Sequence, residues 1–453
     1  MNKQQDKPLT LFGLTWPIFL EQFLQTIILN IDTLMLSKYS DRAVAAVGVS
    51  SQILTVAYLM FGFVTVGLSV FISQLLGAGK EQEASKVGSI SMGLNLIFGV
   101  AVSLILVVFA KPLLVMMKLP PELMEEGYTF LFTMGWFSFI VAIMNTANAI
   151  LRMHGFVRQM LLLSFAVIVL NVIGNYLFIY GPLGIPVLGV KGVALATGMS
   201  RIIGLAIVLY MLMKYMRHPL SYKQMFRFPI DYVKEIMKIG IPSAGENISY
   251  MASQVFITYF VAILGTAALT TKIYTQNITT FVFLFSVSIG QATSMIIGRL
   301  IGAAKYDDAY RQCYRSLKIG LLITFGIGCL LNVFSRPLIS LFTSDEEVIH
   351  LGQMLMLLSL VLEAARACNV IVIAALNAAG EVKYPVFMGL ISMWGVSIPL
   401  AYLFGIVFHL GIPGIWIAFI VDEWLRGALM LLRWRTRKWQ QIRFNLISRA
   451  KEM

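Results

Sequence analysis

The sequence predicts an all-α integral membrane protein with twelve transmembrane helices. Of its 453 residues, 58% are hydrophobic and only 13% are charged, and the mean hydropathy is +0.81, which is far outside the range of soluble domains. A spanning helix needs about 20 apolar residues, and the short loops leave room for twelve such stretches. The predicted spans are residues 11–36, 46–75, 88–116, 128–151, 160–181, 192–213, 238–264, 267–299, 316–341, 351–376, 385–408 and 413–434.

An internal repeat divides these helices into two sets of six. Shifting the sequence by 225 residues aligns the second half with the first without gaps for about 140 residues, so that Pro17 meets Pro242 and Glu21 meets Glu246. Because each half has an even number of helices, both halves enter the membrane from the same side and form a parallel repeat. The sequence therefore predicts two six-helix lobes around a central cleft, which favours a transporter that works by alternating access.

The repeat and the charge distribution define four segments. In the twelve-helix topology 25 lysine and arginine residues lie on the side of the N-terminus and seven on the other side. The positive-inside rule therefore predicts that both termini are cytoplasmic, and we expect the protein in the cell (plasma or inner) membrane. The net charge of +13 therefore needs no nucleic acid partner. The segment Arg433 to Lys451 carries Trp434, Trp439, Ile442 and Leu446 among basic residues, which predicts a helix on the inner leaflet. We expect an N-lobe at 1–213, a cytoplasmic linker at 214–237, a C-lobe at 238–434 and a basic cytoplasmic tail at 435–453.

No pattern in the sequence indicates an enzyme. The three cysteines lack metal-ligand spacing, the four histidines do not cluster, and no glycine-rich loop has the form of a phosphate-binding loop. We therefore expect no cofactor and no metal beyond a coupling ion, and we expect an ion gradient to supply the energy. The first apolar stretch is longer than the core of a cleavable signal, so it is expected to remain as the first helix.

Two acidic residues share one face of the first predicted helix. Glu21 and Asp32 are eleven positions apart, close to three full turns, which places their carboxylates about 16 Å apart along the axis. Gln25 lies on the same polar stripe. A carboxylate at bilayer depth is costly unless it is paired, protonated or hydrated, so it usually marks an ion or substrate path. We interpret Asp32 as an ion-binding residue, with an acid held neutral by hydrogen bonds as the structural alternative.

Several motifs carry a resemblance to a known family. They are Pro17 followed by Asp32 fifteen residues later, the paired loops Gly77-Ala78-Gly79-Lys80 and Gly302-Ala303-Ala304-Lys305, the segment Arg152-Met153-His154-Gly155, and the run from Leu170 to Thr197. Over essentially the whole chain this pattern resembles the multidrug and toxic compound extrusion (MATE) family of bacteria. The resemblance implies a transporter that exports organic cations and other drug-like compounds in exchange for sodium ions or protons.

The resemblance also implies an ion-coupling site in the N-lobe. Asp32 stands where the family keeps the carboxylate that takes the ion, and Asn171 matches an asparagine of the same polar pocket. Asn175 stands where several members carry an aspartate, so one negative charge is missing. Oxygen atoms of Asp32, Asn171, Asn175 and Thr197 would suit a sodium ion, while Asp32 alone would serve a proton. The alternative role for the two asparagines is hydrogen bonding between helices.

The C-lobe departs from the family pattern. Tyr250 stands where one branch of the family has a cation-binding glutamate, and Glu246 lies one turn earlier. Glu363, Arg366 and Asn369 recur at threes along one face of the tenth predicted helix, which indicates either a structural or gating pair or an ion or substrate site.

Other polar residues complete the candidate set. Asn145 and Asn148 are candidates for the lining of the N-lobe cavity. By contrast, Asp422, Glu423 and Arg426 on the last helix have the spacing of a self-paired structural cluster and are not selected as site residues.

Two functions remain open from the sequence. The first is an ion-coupled antiporter that exports small amphipathic, mainly cationic organic compounds by alternating access, that is, multidrug efflux. The alternative is a flippase or exporter of a lipid-linked or amphiphilic metabolite. Once the lysine and arginine residues assigned to the two membrane sides are set aside, the predicted helices contain six acidic residues against three arginines, Arg201, Arg366 and Arg426. This balance favours cationic cargo. We expect membrane lipid and small organic cations as partners, and a monomer.

Overall fold

The computed structural model describes residues 9–184 and 186–442. In these ranges the chain forms twelve long helical segments and no β-strand. Each predicted span falls on one of the segments, which confirms the all-α, twelve-helix class. They are α1 (Leu11–Ser37), α2 (Asp41–Gly77), α3 (Glu81–Val108), α4 (Met124–Met153), α5 (Val157–Tyr180), α6 (Gly189–Tyr215), α7 (Ile230–Ile263), α8 (Thr266–Gly302), α9 (Tyr306–Val333), α10 (Glu346–Ala378), α11 (Lys383–Val407) and α12 (Gly411–Arg435).

Ten of the twelve segments are long and apolar enough to cross a bilayer by composition alone, counted over the described residues. The remaining two, α7 and α12, carry polar groups near their middles, with Glu246 on α7 and the pair Asp422 and Glu423 on α12. Ionisable groups at such positions are usually functional. The departure from a plain apolar composition therefore points to the site described below.

Two predicted spans are interrupted at equivalent points of the repeat. The third and ninth predicted spans contain Pro112 and Pro337, and the structure ends α3 at Val108 and α9 at Val333. In both repeats the last helical residue lies four positions before the proline. A proline ring clashes with the carbonyl four residues earlier and offers no N–H donor, which explains why both helices stop there although the apolar run continues.

The described chain divides into two compact units, of which the first comprises residues 20–240 and the second residues 9–19 and 241–442. In the first unit α4 packs against α2, α3 and α6, and α5 packs against α6. In the second unit α10, the repeat counterpart of α4, packs against α8, α9 and α12. The unit boundaries within α1 and α7 fall close to the repeated prolines Pro17 and Pro242.

The segment predicted as a linker, 214–237, belongs to the first unit. The Ser85 hydroxyl on α3 donates to the carbonyl of Pro219 at 3.0 Å, and the N–H of Ser221 donates to the Ser89 hydroxyl at 3.0 Å. These contacts attach the segment along α3 instead of leaving it as a free connection.

The start of the predicted tail packs into the second unit. Trp434 and Trp439 are 0% and 1% exposed, and their rings stack with centroids 4.3 Å apart. Arg437 forms an ion pair with Asp307 at 2.7 Å. The expectation that these tryptophans lie on the inner leaflet is therefore wrong, because both are buried in protein. Residues 443–453 lie outside the described part of the chain.

Candidate functional site

The four residues predicted to couple the ion form one hydrogen-bonded chain across α1, α5 and α6. The Asn175 amide donates to Asp32 Oδ1 at 2.7 Å and to Asn171 Oδ1 at 3.3 Å, and the Asn171 amide donates to the Thr197 hydroxyl at 2.9 Å. The spacing of four residues on α5 places both asparagines on one helical face. The structure thus brings together all four side chains that the sequence selected.

A cavity of about 340 Å³ lies beside this chain, within the first unit. Two amide oxygens in this region, Asn148 Oδ1 and Asn175 Oδ1, are buried without a hydrogen-bond donor among the described residues. Unsatisfied oxygens beside a carboxylate are the groups that a small hard cation prefers. The polar residues that line the cavity are Gln25, Asp32, Asn145, Asn148, Ser164, Asn171, Thr197, Ser200 and Arg201.

An arginine shares this cavity with the carboxylate. Arg201 donates to the Tyr58 hydroxyl at 3.1 Å, lies 5.4 Å from the centre of the Tyr58 ring, and attracts the Asp32 carboxylate electrostatically. Sequence patterns did not indicate this partner of Arg201, because Tyr58 is 143 positions away. With Asp32 ionised, the formal charge of the cavity lining is zero.

Glu21 lies apart from the lining of this cavity, in a buried ion pair. Glu21 as a whole is 1% exposed, and Arg152 Nη2 lies 2.9 and 3.1 Å from its two carboxylate oxygens. Ser164 makes a longer contact of 3.5 Å. In the second repeat the position of Arg152 is occupied by Asn377. Glu246, the repeat counterpart of Glu21, therefore lacks an equivalent arginine.

In the second unit the predicted pairs form and join into one network. Arg366 binds Glu363 at 2.7 Å, while Arg426 binds Glu423 at 2.8 Å and Asp422 at 3.1 Å. A longer contact of 3.8 Å between Arg366 Nε and Glu423 connects α10 to α12. The charged residues of α12 pair with one another, as their spacing predicted. Arg366 of α10 also takes part in the network, which that spacing did not indicate.

A cavity of about 470 Å³ opens on this network, within the second unit. Glu246 lines the cavity and has no hydrogen bond or ion pair with any described residue, whereas Glu363 and Asp422 hold arginines without lining it. Asn369 donates to Glu423 at 2.9 Å. Sequence reasoning did not select the two α12 residues in this lining. The polar residues that line the cavity are Glu246, Asn247, Tyr250, Gln276, Asn277, Thr279, Thr280, Arg366, Asn369, Glu423 and Arg426.

The two cavities are counterparts under the repeat. Seven lining positions of the first cavity recur 225 residues later in the lining of the second cavity. The positions in the first cavity are 25, 141, 144, 145, 148, 168 and 201, and those in the second are 250, 366, 369, 370, 373, 393 and 426. Arginine occupies the last position in both. Val141 and Met144 of the first cavity are replaced by Arg366 and Asn369 in the second. Extending the sequence repeat beyond its best-matching stretch would have paired Arg201 with Arg426 and so indicated the residue that was missed.

Comparison with known proteins agrees with this architecture. A model of the MatE family matches residues 17–177 and 242–403, one segment in each repeat. The chain is 46% identical over 441 residues to the uncharacterized transporter YisQ of Bacillus subtilis, covering 97% of each chain. It is 26% identical to the probable multidrug resistance protein NorM of Thermotoga maritima, covering 98% of this chain and 95% of that one.

A solved structure shares the fold. It is an outward-facing conformation of a multidrug resistance MATE family transporter of the MOP superfamily, with a TM-score of 0.86 and 21% identity, covering 98% of this chain and 96% of that chain. At this identity the likeness establishes the fold and not the ligand.

Proposed function

Because the chain belongs to the MatE family of transporters, we propose that it is an ion-coupled antiporter that exports small amphipathic, mainly cationic organic compounds. As a member of this family it is an integral membrane transporter and not an enzyme. The excess of lysine and arginine on one side of the topology supports insertion in the cell membrane with both termini in the cytoplasm. We further propose that it works as a monomer whose partners are lipid and small organic cations.

The hydrogen-bonded chain from Asp32 to Thr197 is the observation that carries this proposal. It surrounds a carboxylate on an apolar helix with oxygen atoms, one of which, Asn175 Oδ1, has no donor among the described residues. A sodium ion bound here would take oxygen ligands from Asp32, Asn171, Asn175 and Thr197. A proton would need only the carboxylate.

Exchange follows from competition for Asp32. When its carboxylate is ionised, it attracts a cationic cargo molecule in the same cavity. An incoming sodium ion or proton neutralises the carboxylate, which removes the attraction and shifts the protein towards the state that releases cargo. Arg201 limits how much positive charge the cavity accepts, so that ion and cargo do not bind favourably together.

The test is efflux of ethidium from proteoliposomes under an imposed proton gradient and, separately, a sodium gradient. We expect one gradient to drive efflux in the wild type and Asp32→Asn to lower that rate at least tenfold. Asp308→Asn, at an exposed position of α9, serves as the control and should transport normally. Full gradient-driven efflux by Asp32→Asn would contradict the proposed coupling site. Absence of transport under both gradients would favour an amphiphilic metabolite as cargo.

A further inference from the structure

We propose that the cavity of the second unit binds a small hydrophilic zwitterion, a molecule that carries one ammonium and one carboxylate group. This proposal refines the cargo class of the proposed transport function. The physiological meaning of the binding site rests on that function. Binding to the cavity itself does not depend on ion coupling and is testable alone.

The cavity offers a carboxylate that has no hydrogen-bond donor among the described residues. Glu246 lines it, and Arg426 attracts this carboxylate electrostatically without forming an ion pair with it. On another lining helix, Asn369 is only 4% exposed, and its Oδ1 is buried without a hydrogen-bond donor among the described residues. An ammonium group has three donors and no acceptor. The two oxygen groups therefore match the cationic end of a ligand.

The cavity also offers guanidinium donors that the protein does not use. Arg426 is 6% exposed and binds Asp422 and Glu423 through the same nitrogen, Nη2. Its Nε is buried without an acceptor, and no described residue accepts from its Nη1. Arg366 likewise uses Nη1 for Glu363 and has no acceptor for Nη2 among the described residues. Arginine binds carboxylates with paired donors, so these groups match the anionic end.

Unused polar groups of both signs select against ligands with a single charge. Two acids and two arginines line the cavity, and Glu363 and Asp422 hold the two arginines from outside the lining. A ligand that is only cationic would satisfy Glu246 but would desolvate the free guanidinium donors without replacing their water. A ligand that is only anionic would desolvate the Glu246 carboxylate without replacing its water. A zwitterion satisfies both groups.

Size and polarity indicate a small hydrophilic molecule. The volume of about 470 Å³ lies within the range of roughly 300–1,000 Å³ for small-molecule sites. Such sites are mostly apolar when they take drug-like ligands. Here the apolar lining is limited to Phe283, Val370, Ile373 and Met393, and amide and hydroxyl groups make up most of the rest. An amino acid with an apolar side chain fits this combination.

The first cavity lacks this combination. Its counterparts of Arg366 and Asn369 are Val141 and Met144, and the counterpart of Glu246 is neutralised by Arg152. The zwitterionic site is therefore a property of the second repeat.

Three matched probes test the proposal: phenylalanine, its methyl ester and N-acetylphenylalanine. They share one side chain and differ chiefly in charge, being zwitterionic, cationic and anionic in mildly acidic buffer. Binding is measured by equilibrium dialysis with the purified full-length protein, without any ion gradient. We expect phenylalanine to bind at least tenfold more tightly than either derivative, since each derivative loses one charge-assisted interaction.

Variants locate the site. Glu246→Gln breaks no hydrogen bond or ion pair with any described residue, so it should fold. It should weaken phenylalanine binding about tenfold, while N-acetylphenylalanine should bind at least as tightly as to the wild type, because a carboxylate that repels it is gone. Arg366→Lys keeps the positive charge that faces Glu363 but loses the paired guanidinium donors. It should weaken the binding of both probes that carry a carboxylate. Asp308→Asn is the control.

Two results would overturn the proposal. One is that folded wild type binds the ester or the acetyl derivative as tightly as phenylalanine, or does not bind phenylalanine. The other is that Glu246→Gln leaves phenylalanine binding unchanged. Loss of gradient-driven ethidium efflux in the earlier experiment bears on coupling alone, so failures of the two proposals are distinguishable.

Discussion

Replacing Arg152 by methionine should destabilise the protein strongly, because it leaves a buried carboxylate without its cation. Arg152 Nη2 lies 2.9 and 3.1 Å from the oxygens of Glu21, whose side chain is 2% exposed. Removing one partner of a buried ion pair costs about 3–5 kcal/mol, whereas replacing both by neutral groups is often nearly neutral. We expect Arg152→Met to lower the free energy of unfolding by about 3–5 kcal/mol and Glu21→Gln/Arg152→Met to recover most of it.

The assay is SDS-induced unfolding in mixed micelles, followed by tryptophan fluorescence. The wild type, both single variants and the double variant form a cycle that yields the coupling energy between Glu21 and Arg152. Glu246→Gln is the matched control, because it occupies the equivalent position of the second repeat without an ion pair. Its stability should stay within about 0.5 kcal/mol of the wild type or rise. A coupling energy below about 1 kcal/mol, as found for exposed pairs, would refute the assignment.

Two further predictions concern packing, and the same unfolding assay checks them. A Cβ at Gly240 would lie 1.9 Å from the carbonyl oxygen of Phe63, so Gly240→Ala should cost about 1–3 kcal/mol. Gly245→Ala on the same helix, where nothing lies within 4 Å, should be neutral or stabilise by about 0.5–1 kcal/mol. Trp439→Ala should cost about 3–5 kcal/mol, whereas Trp424→Ala, at 42% exposure, should cost far less. Equal losses within either pair would contradict the packing described.

The helices were predictable because bilayer depth requires long apolar runs, but their ends were not. The span prediction for the ninth helix begins at residue 316, whereas α9 begins at Tyr306. An apolar window marks where a helix crosses hydrocarbon, and a helix continues beyond it wherever the backbone groups remain paired. The stops at Val108 and Val333 follow from a proline four residues later, a local rule that hydropathy does not contain.

The site was predictable only where its residues lie on one helix or match a family motif. The spacing of Asn171 and Asn175 fixes a shared face, and the motif supplies Asp32. Contacts between distant helices depend on packing that a single sequence does not specify. These contacts are Glu21 with Arg152, Tyr58 with Arg201, and Asn369 with Glu423, which are 131, 143 and 54 positions apart.

The elements that bear Asp32 and Glu246 are also the described helices divided between the two units. The first turns of α1 belong to the second unit, whereas Asp32 near its other end belongs to the first. In α7 the division is reversed, because its start belongs to the first unit and Glu246 to the second. Each helix contains a proline close to the division, where the missing N–H donor weakens the hydrogen-bond ladder and permits bending. A change of charge at either carboxylate therefore acts on a helix that continues into the other unit. That continuity supplies the physical connection that the proposed ion-coupled exchange requires.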